Sequence, residues 1–215
     1  MTDALVLYAA GLQAPDVKTL VRLADGTVAP LAIERYLGPA DETDELLLRG
    51  LGGPVLDVGC GPGRHLHALA KHGVFGLGVD LSTTAVGLAR ERGVQAIVGS
   101  IFDEVPGAGT WQAALLLDGN IGIDGTPERL LNRIRALLAD RGEVLVELDR
   151  PSAPSGAMLA RLETASGASG WFRWARVAAD GIGAVARASG FTVAERWTHA
   201  ERWFARLVMR PGGTA

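Results

Sequence analysis

The stretch Val55-Leu56-Asp57-Val58-Gly59-Cys60-Gly61-Pro62-Gly63-Arg64 decides the fold. It is an apolar run that breaks into glycines at every second position, after which Leu66, Leu69 and Ala70 return at helical spacing. That order reads as strand, tight loop, helix, the helix stopping at Gly73. Glycine permits the positive φ such a loop needs and lets a ligand lie against bare backbone, while the first free N–H groups of the helix point at whatever sits there. The stretch is a cradle for a small molecule.

Spacing says which kind. The dinucleotide fingerprint wants a third glycine or an alanine three residues after the second, where helix and strand pack closely, and that place is taken by Arg64. The pattern Asp57-x-Gly59-x-Gly61-x-Gly63, followed by Gly78-Val79-Asp80-Leu81-Ser82 at the end of the next apolar run, instead resembles the opening motifs of class I S-adenosylmethionine-dependent methyltransferases. The resemblance covers roughly residues 41–210, with its specific motifs between Val55 and Asn120. It implies that Gly59, Gly61 and Gly63 lie along the methionine part of S-adenosylmethionine, with Asp57 bracing the loop or reaching the amino group. By the same resemblance Asp80, with Leu81 beside it, holds the ribose hydroxyls. The usual acidic residue for the adenine amine is missing from Ser100-Ile101-Phe102-Asp103, so Ser100 or Asp103 takes that hydrogen bond and Ile101 or Phe102 meets the ring. Leu117 closes the fourth strand beside the cofactor.

Outward from this centre, apolar strands alternate with amphipathic helices, the pattern of a parallel sheet covered on both faces. Strands are predicted at 54–59, 75–80, 95–99, 112–118 and 143–148. Asp41, Ser82 and Thr126 are placed to cap helices, the last followed by Pro127 at the first helical position. A helix over about 178–189 precedes two strands, Phe191 to His199 and Arg202 to Met209, joined by a tight turn. The expected fold is an α/β, doubly wound, Rossmann-like seven-stranded sheet, mostly parallel with a C-terminal antiparallel hairpin. Residues 150–156 and 166–170 read as loops. Residues 1–40 are expected to be an N-terminal extension, with a hairpin turning at Asp25-Gly26, ahead of a domain spanning 41–215.

Three residues are candidates for chemistry. Asp118 and Asn120, at the carboxyl end of the fourth strand, suit contact with the cofactor or orientation of a nucleophile, although such residues also satisfy loop backbone. His65, at the helix start, is a candidate base, with a structural histidine as the plainer reading. Trp171-Phe172-Arg173-Trp174-Ala175-Arg176 reads as a helical lid, Trp171 and Trp174 on one face and Arg173 on another, able to stack on an aromatic substrate or a sulfonium, or merely to cap the core.

Composition narrows the partners. A net charge of −3 gives no basic footprint for nucleic acid or anionic membranes, and Gly119, Asn120 and Ile121 do not match the prolines and aromatic of base-modifying relatives. A small-molecule methyl acceptor is expected. The single cysteine, Cys60, excludes an intramolecular disulfide, and no two of the four histidines share metal-ligand spacing, so no metal is expected. No leader-like or membrane-spanning run is read, which makes the expected location cytoplasmic. Two alternatives stay open at this point: an NAD(P)-dependent oxidoreductase and an S-adenosylmethionine-binding protein without catalysis.

Overall fold

The structure is a computed structural model describing residues 3–210. The chain enters through α1 (Ala4–Gln13), whose first turn is capped by the Asp3 carboxylate accepting from Leu5 N–H. The hairpin β1 (Leu20–Leu23) and β2 (Val28–Pro30) follows, turning where Gly26 takes a φ of 93°. Short α2 (Ile33–Leu37) and α3 (Glu42–Leu48) lead to the centre. At α3 the Asp41 side chain accepts from Asp44 N–H while Asp44 accepts from Asp41 N–H, a complete capping box.

The alternating unit then runs β3 (Val55–Val58), α4 (Arg64–Lys71), β4 (Gly76–Asp80), α5 (Thr83–Glu91), β5 (Gln95–Val98) and β6 (Trp111–Leu116). A kinked 3-10 turn (Asn120–Gly125) joins β6 to α6 (Pro127–Leu137) and β7 (Leu138–Leu148). Ser82 caps α5 by accepting from Ala85 N–H, whereas Thr126 makes no side-chain cap and α6 starts on Pro127 alone. After β8 (Gly156–Thr164), β9 (Gly167–Ala168) and β10 (Phe172–Arg176), the chain ends in α7 (Ile182–Ala188), β11 (Phe191–His199) and β12 (Arg202–Met209).

The large sheet has seven strands in the order β11-β12-β7-β6-β3-β4-β5. The last five of that order are mutually parallel, and β12 runs antiparallel between β7 and β11. Because side chains alternate, each central strand feeds two cores. Leu56, Val58, Ala114 and Leu116 pack with Leu130, Leu131 and Ile134 on one face, while Val55, Ala113 and Leu115 pack with Leu66, Leu69 and Val86 on the other. Each such large side chain, removed from water, contributes roughly 1.5–3 kcal/mol. The order reverses between β3 and β6, so their carboxyl ends open the crevice where ligands of such sheets bind.

The second sheet departs from the sequence reading. Its order is β10-β8-β1-β2, all antiparallel, with β9 paired to the end of β8. The hairpin near the N-terminus is thus continued by strands that follow β7, and 156–164, to which the sequence reading gave no strand, is an inner strand of this sheet. Trp171 to Arg176 is extended, not helical: Trp174 lies opposite Met158 in the β10–β8 ladder.

Candidate active site

The glycine loop leaves β3 with Gly59, Gly61 and Gly63 at φ of 72°, 52° and 78°. A Cβ on Gly59 would come within 2.7 Å of Asn120 Nδ2, and one on Gly61 within 3.1 Å of the Tyr8 hydroxyl. Gly59, Cys60, Gly61 and Pro62 line a cavity of about 910 Å³ at the sheet's carboxyl edge. Gly63 does not share that wall. Its missing Cβ would meet Ala89 Cβ at 2.9 Å, so it lets α4 and α5 approach.

Asp80, ending β4, faces the same cavity and accepts one backbone N–H on each oxygen, from Gly61 at 2.9 Å and from Ser82 at 2.8 Å. Burial pushes its carboxyl above the usual range, and the two N–H groups and the Asp57 charge alter that less. Leu81, Ser100, Ile101 and Phe102 continue the wall, the Phe102 ring held beneath the Arg129 guanidinium at 4.0 Å. The Leu117 side chain is turned into the core instead.

Asp57 lies behind the loop, 1% exposed, with Oδ2 3.7 Å from His65 Nδ1 and without a hydrogen-bond partner. That is the bracing position, not contact with the cavity. His65, 4% exposed, sits between Asp57 and Asp44 at 3.7 Å from each, so the candidate base is a buried member of a charge cluster. Asn120 is committed as well: Nδ2 donates to the carbonyls of Val58 at 2.9 Å and Gly59 at 3.0 Å, tying the two loops together.

Asp118 is held from every side. Its backbone is left-handed at φ 54°, its N–H donates to Glu147 Oε2 at 2.8 Å, and Arg64 Nη2 donates to both its carboxylate oxygens at 2.8 and 2.7 Å. Arg64 Nη1 also bonds Asp44, which accepts from Arg202 Nη1 at 2.9 Å, and Arg202 grips Glu147 through Nε and Nη2 at 2.8 and 2.9 Å. Burial would raise the Asp118 carboxyl, but the charges of His65, Arg64 and Arg35 outweigh it and hold the group below the usual carboxylate range. A carboxylate so paired is a poor proton acceptor, which weighs against the base reading of Asp118. Asp44, Glu147 and Arg202 escaped sequence reading because each is ordinary in its own segment.

The small sheet roofs the cavity. Val21, Leu23, Met158, Ala160, Leu162 and Trp174 line it from above. Trp174 also lies over the 3-10 turn, where a Cβ on Gly122 would come within 2.7 Å of its Cδ1. Trp171 is not part of this wall; it is 43% exposed, with the Arg161 guanidinium 4.7 Å above its ring. Arg173, opposite the exposed Leu159, reaches only the rim. Tyr8 and Tyr36, edge to face at 6.5 Å, close the side with residues from the N-terminal segment.

Residues 55–142 match the family model of a methyltransferase domain. The match speaks against the nicotinamide alternative, and the glycine loop and Asp80 fall inside the matched residues. No curated protein matches the chain by sequence. Among solved structures, the fold is similar to that of an S-adenosylmethionine-dependent methyltransferase from Bacteroides fragilis in complex with S-adenosyl-L-homocysteine, with TM-score 0.78 at 22% identity over 96% of this chain and 94% of that one. It is also similar to 1,6-didemethyltoxoflavin-N1-methyltransferase from Burkholderia thailandensis, with TM-score 0.60 at 18% identity over 83% and 80% of the two chains. CalS10, an amino pentose methyltransferase from Micromonospora echinaspora, gives TM-score 0.59 at 21% identity over 83% and 95%. No helix among the described residues is long and apolar enough to cross a membrane.

Proposed function

We propose that this methyltransferase binds S-adenosylmethionine across its glycine loop and methylates a small-molecule acceptor held beneath the roof. The observation that carries the reading is Asp80: each oxygen accepts one backbone N–H, one of them from the glycine loop itself, and keeps a lone pair for the cavity. A carboxylate so placed accepts both hydroxyls of a ribose. The bare backbone of Gly59 and Gly61 fits an extended chain beside it, and Leu81, Ile101 and Phe102 fit a flat base. The relatives from Bacteroides fragilis and Micromonospora echinaspora, solved with S-adenosylhomocysteine and S-adenosylmethionine respectively, support the same reading.

When bound, the cofactor supplies a methyl group already activated on a sulfonium, so the protein's task is alignment and exclusion of water. Asp118, ionised and fixed by Arg64, is assigned to the cofactor's ammonium as a hydrogen-bond acceptor. Asn120 positions the loop by bonding its carbonyls, and His65 belongs to the buried cluster beneath. No residue of this chain is assigned as a general base.

Calorimetry on the purified protein tests the reading: S-adenosylhomocysteine is expected to bind and NAD to give no heat. Tight NAD binding with no response to S-adenosylhomocysteine would overturn it.

Asp80 adds a pH signature. Its carboxyl takes up a proton at higher pH than an ordinary aspartate, near 3.9, whereas Asp118 stays ionised below that value. Affinity for S-adenosylhomocysteine is therefore expected to fall as the pH is lowered toward 4, before the Arg64–Asp118 pair is lost. Titrations from pH 7 downward, paired with near-ultraviolet circular dichroism to follow the fold, check this; affinity constant until unfolding would remove Asp80 from the site.

A further inference from the structure

We infer that the methyl acceptor is an uncharged molecule with an apolar, ring-sized body, seated between the glycine loop and the under face of the small sheet. The inference rests on the cofactor reading for the other half of the cavity and concerns what remains of it. About 910 Å³ is near the top of the roughly 300–1,000 Å³ typical of small-molecule pockets, room for a second ligand of modest size beside the first.

The roof is sorted by the two-residue period of its strands. On its inner face Val21 stands opposite Leu162, Leu23 opposite Ala160, and Met158 opposite Trp174. On the outer face Arg22, Arg161 and Glu163 satisfy one another, Arg22 Nε to Glu163 at 2.8 Å and Arg161 Nη2 to the same carboxylate at 2.5 Å. Apart from Arg176, at the end of β10 and paired with Asp149, the sheet turns its charges to solvent and a hydrocarbon and indole surface to the cavity. A sugar or a zwitterion would find no hydrogen-bond partner along that surface, and each hydroxyl left unpaired there weakens binding.

Below it, Asp80 belongs to the ribose in the cofactor reading, and the other carboxylates named for the site are matched. Asp118 is paired with Arg64, Glu147 with Arg202, and Asp149 with Arg176 through two bonds of 2.8 and 2.6 Å. A charged acceptor either displaces one member of a pair or buries its own charge against carboxylates that already have partners, in a poorly solvated place. A neutral ring does not. Its flat face meets Trp174 and the aliphatic roof, and its polar edge meets the outer oxygens of paired carboxylates as a donor.

The test uses the full-length protein saturated with S-adenosylhomocysteine and titrated calorimetrically with 2-naphthol, 2-naphthoate, 2-naphthylmethylammonium and methyl glucoside. The expected result is that 2-naphthol binds at least tenfold more tightly than either charged analogue and that the glucoside gives no heat. Ala160→Trp, which fills the space under β8, and Met158→Glu, a charge at a half-buried position of the same face, are each expected to weaken 2-naphthol at least tenfold while S-adenosylhomocysteine stays within about twofold. If one variant fails to fold, the other decides. Preference for a charged or sugar probe, no binding of 2-naphthol to the wild type, or unchanged 2-naphthol affinity in a folded variant would overturn the inference. Failure of S-adenosylhomocysteine to bind would refute the cofactor reading separately, and the same probes and variants titrated without it then decide the acceptor chamber alone.

Discussion

Arg64→Met is expected to destabilise the fold by about 3 kcal/mol, the lower end of the roughly 3–5 kcal/mol seen when one partner of a buried ion pair is removed. Arg64 is 3% exposed and serves two carboxylates at once, Asp44 at 0% exposure and Asp118. Methionine fills a similar volume, so packing is largely conserved and the change reads the charge. Asp44 keeps Arg202 at 2.9 Å and Arg35 at 3.4 Å, which is why the lower figure is expected. Asp118 is left with Arg35 Nε at 3.7 Å and a left-handed backbone that nothing else on its side chain secures. Arg64→Lys restores only part of the loss, since one ammonium cannot span two carboxylates as a guanidinium does. Urea unfolding measures both, a lowered midpoint at unchanged slope being the expected form. A wild-type midpoint in Arg64→Met would show that the cluster contributes nothing to stability.

Asp80→Ala acts on the ligand instead. Losing charge-assisted hydrogen bonds to ribose hydroxyls is expected to cost roughly 1.5–3 kcal/mol of cofactor binding, about ten- to a hundredfold in affinity. The glycine loop also loses its anchor, because Gly61 N–H gives up its acceptor. Stability of the ligand-free protein is expected to change little, for a definite reason. A carboxyl whose folded pKa is raised binds its proton more readily folded than unfolded, so between the unfolded and folded values stability falls as pH rises, and at neutral pH the ionised Asp80 is a net cost. Removing it offsets the lost backbone bonds. Calorimetry with S-adenosylhomocysteine and thermal melts of the free protein separate the two effects, and undiminished affinity would refute the ribose assignment.

Much of this was legible in the sequence because it is local. The strand, loop and helix around Gly59 to Gly63 are set by period and glycine spacing, and the strands Phe191–His199 and Arg202–Met209 fall where alternation and turn residues put them. What was missed depends on partners far away in the chain. Residues 156–164 become a strand because 20–23 and 172–176 flank them, and the alternation of Met158, Ala160 and Leu162 was the available signal. Trp171 and Trp174, three apart, share a face only in a helix; the β8 partner makes the period two and sends them to different surroundings. The Arg202–Asp44 bond joins residues 158 apart, a pairing no motif records. Gly63 shows the reverse case, a motif residue expected along a ligand whose missing Cβ leaves room for Ala89 of the next helix.

The roof has one more consequence, for the order of events as the chain is made. β1 is synthesised early, yet the neighbour that gives it a second row of hydrogen bonds, β8, emerges about 140 residues later. At the roughly 5–20 residues per second of translation, the hairpin stands for roughly 7–28 seconds with one flank unpaired. Only four residues long and carrying Arg22, it is a short and charged template for mispairing. The acceptor chamber is therefore closed late, after the glycine loop, β6 and β7 have all left the ribosome, and a nascent chain can hold a cofactor cradle before it has any place to put a substrate.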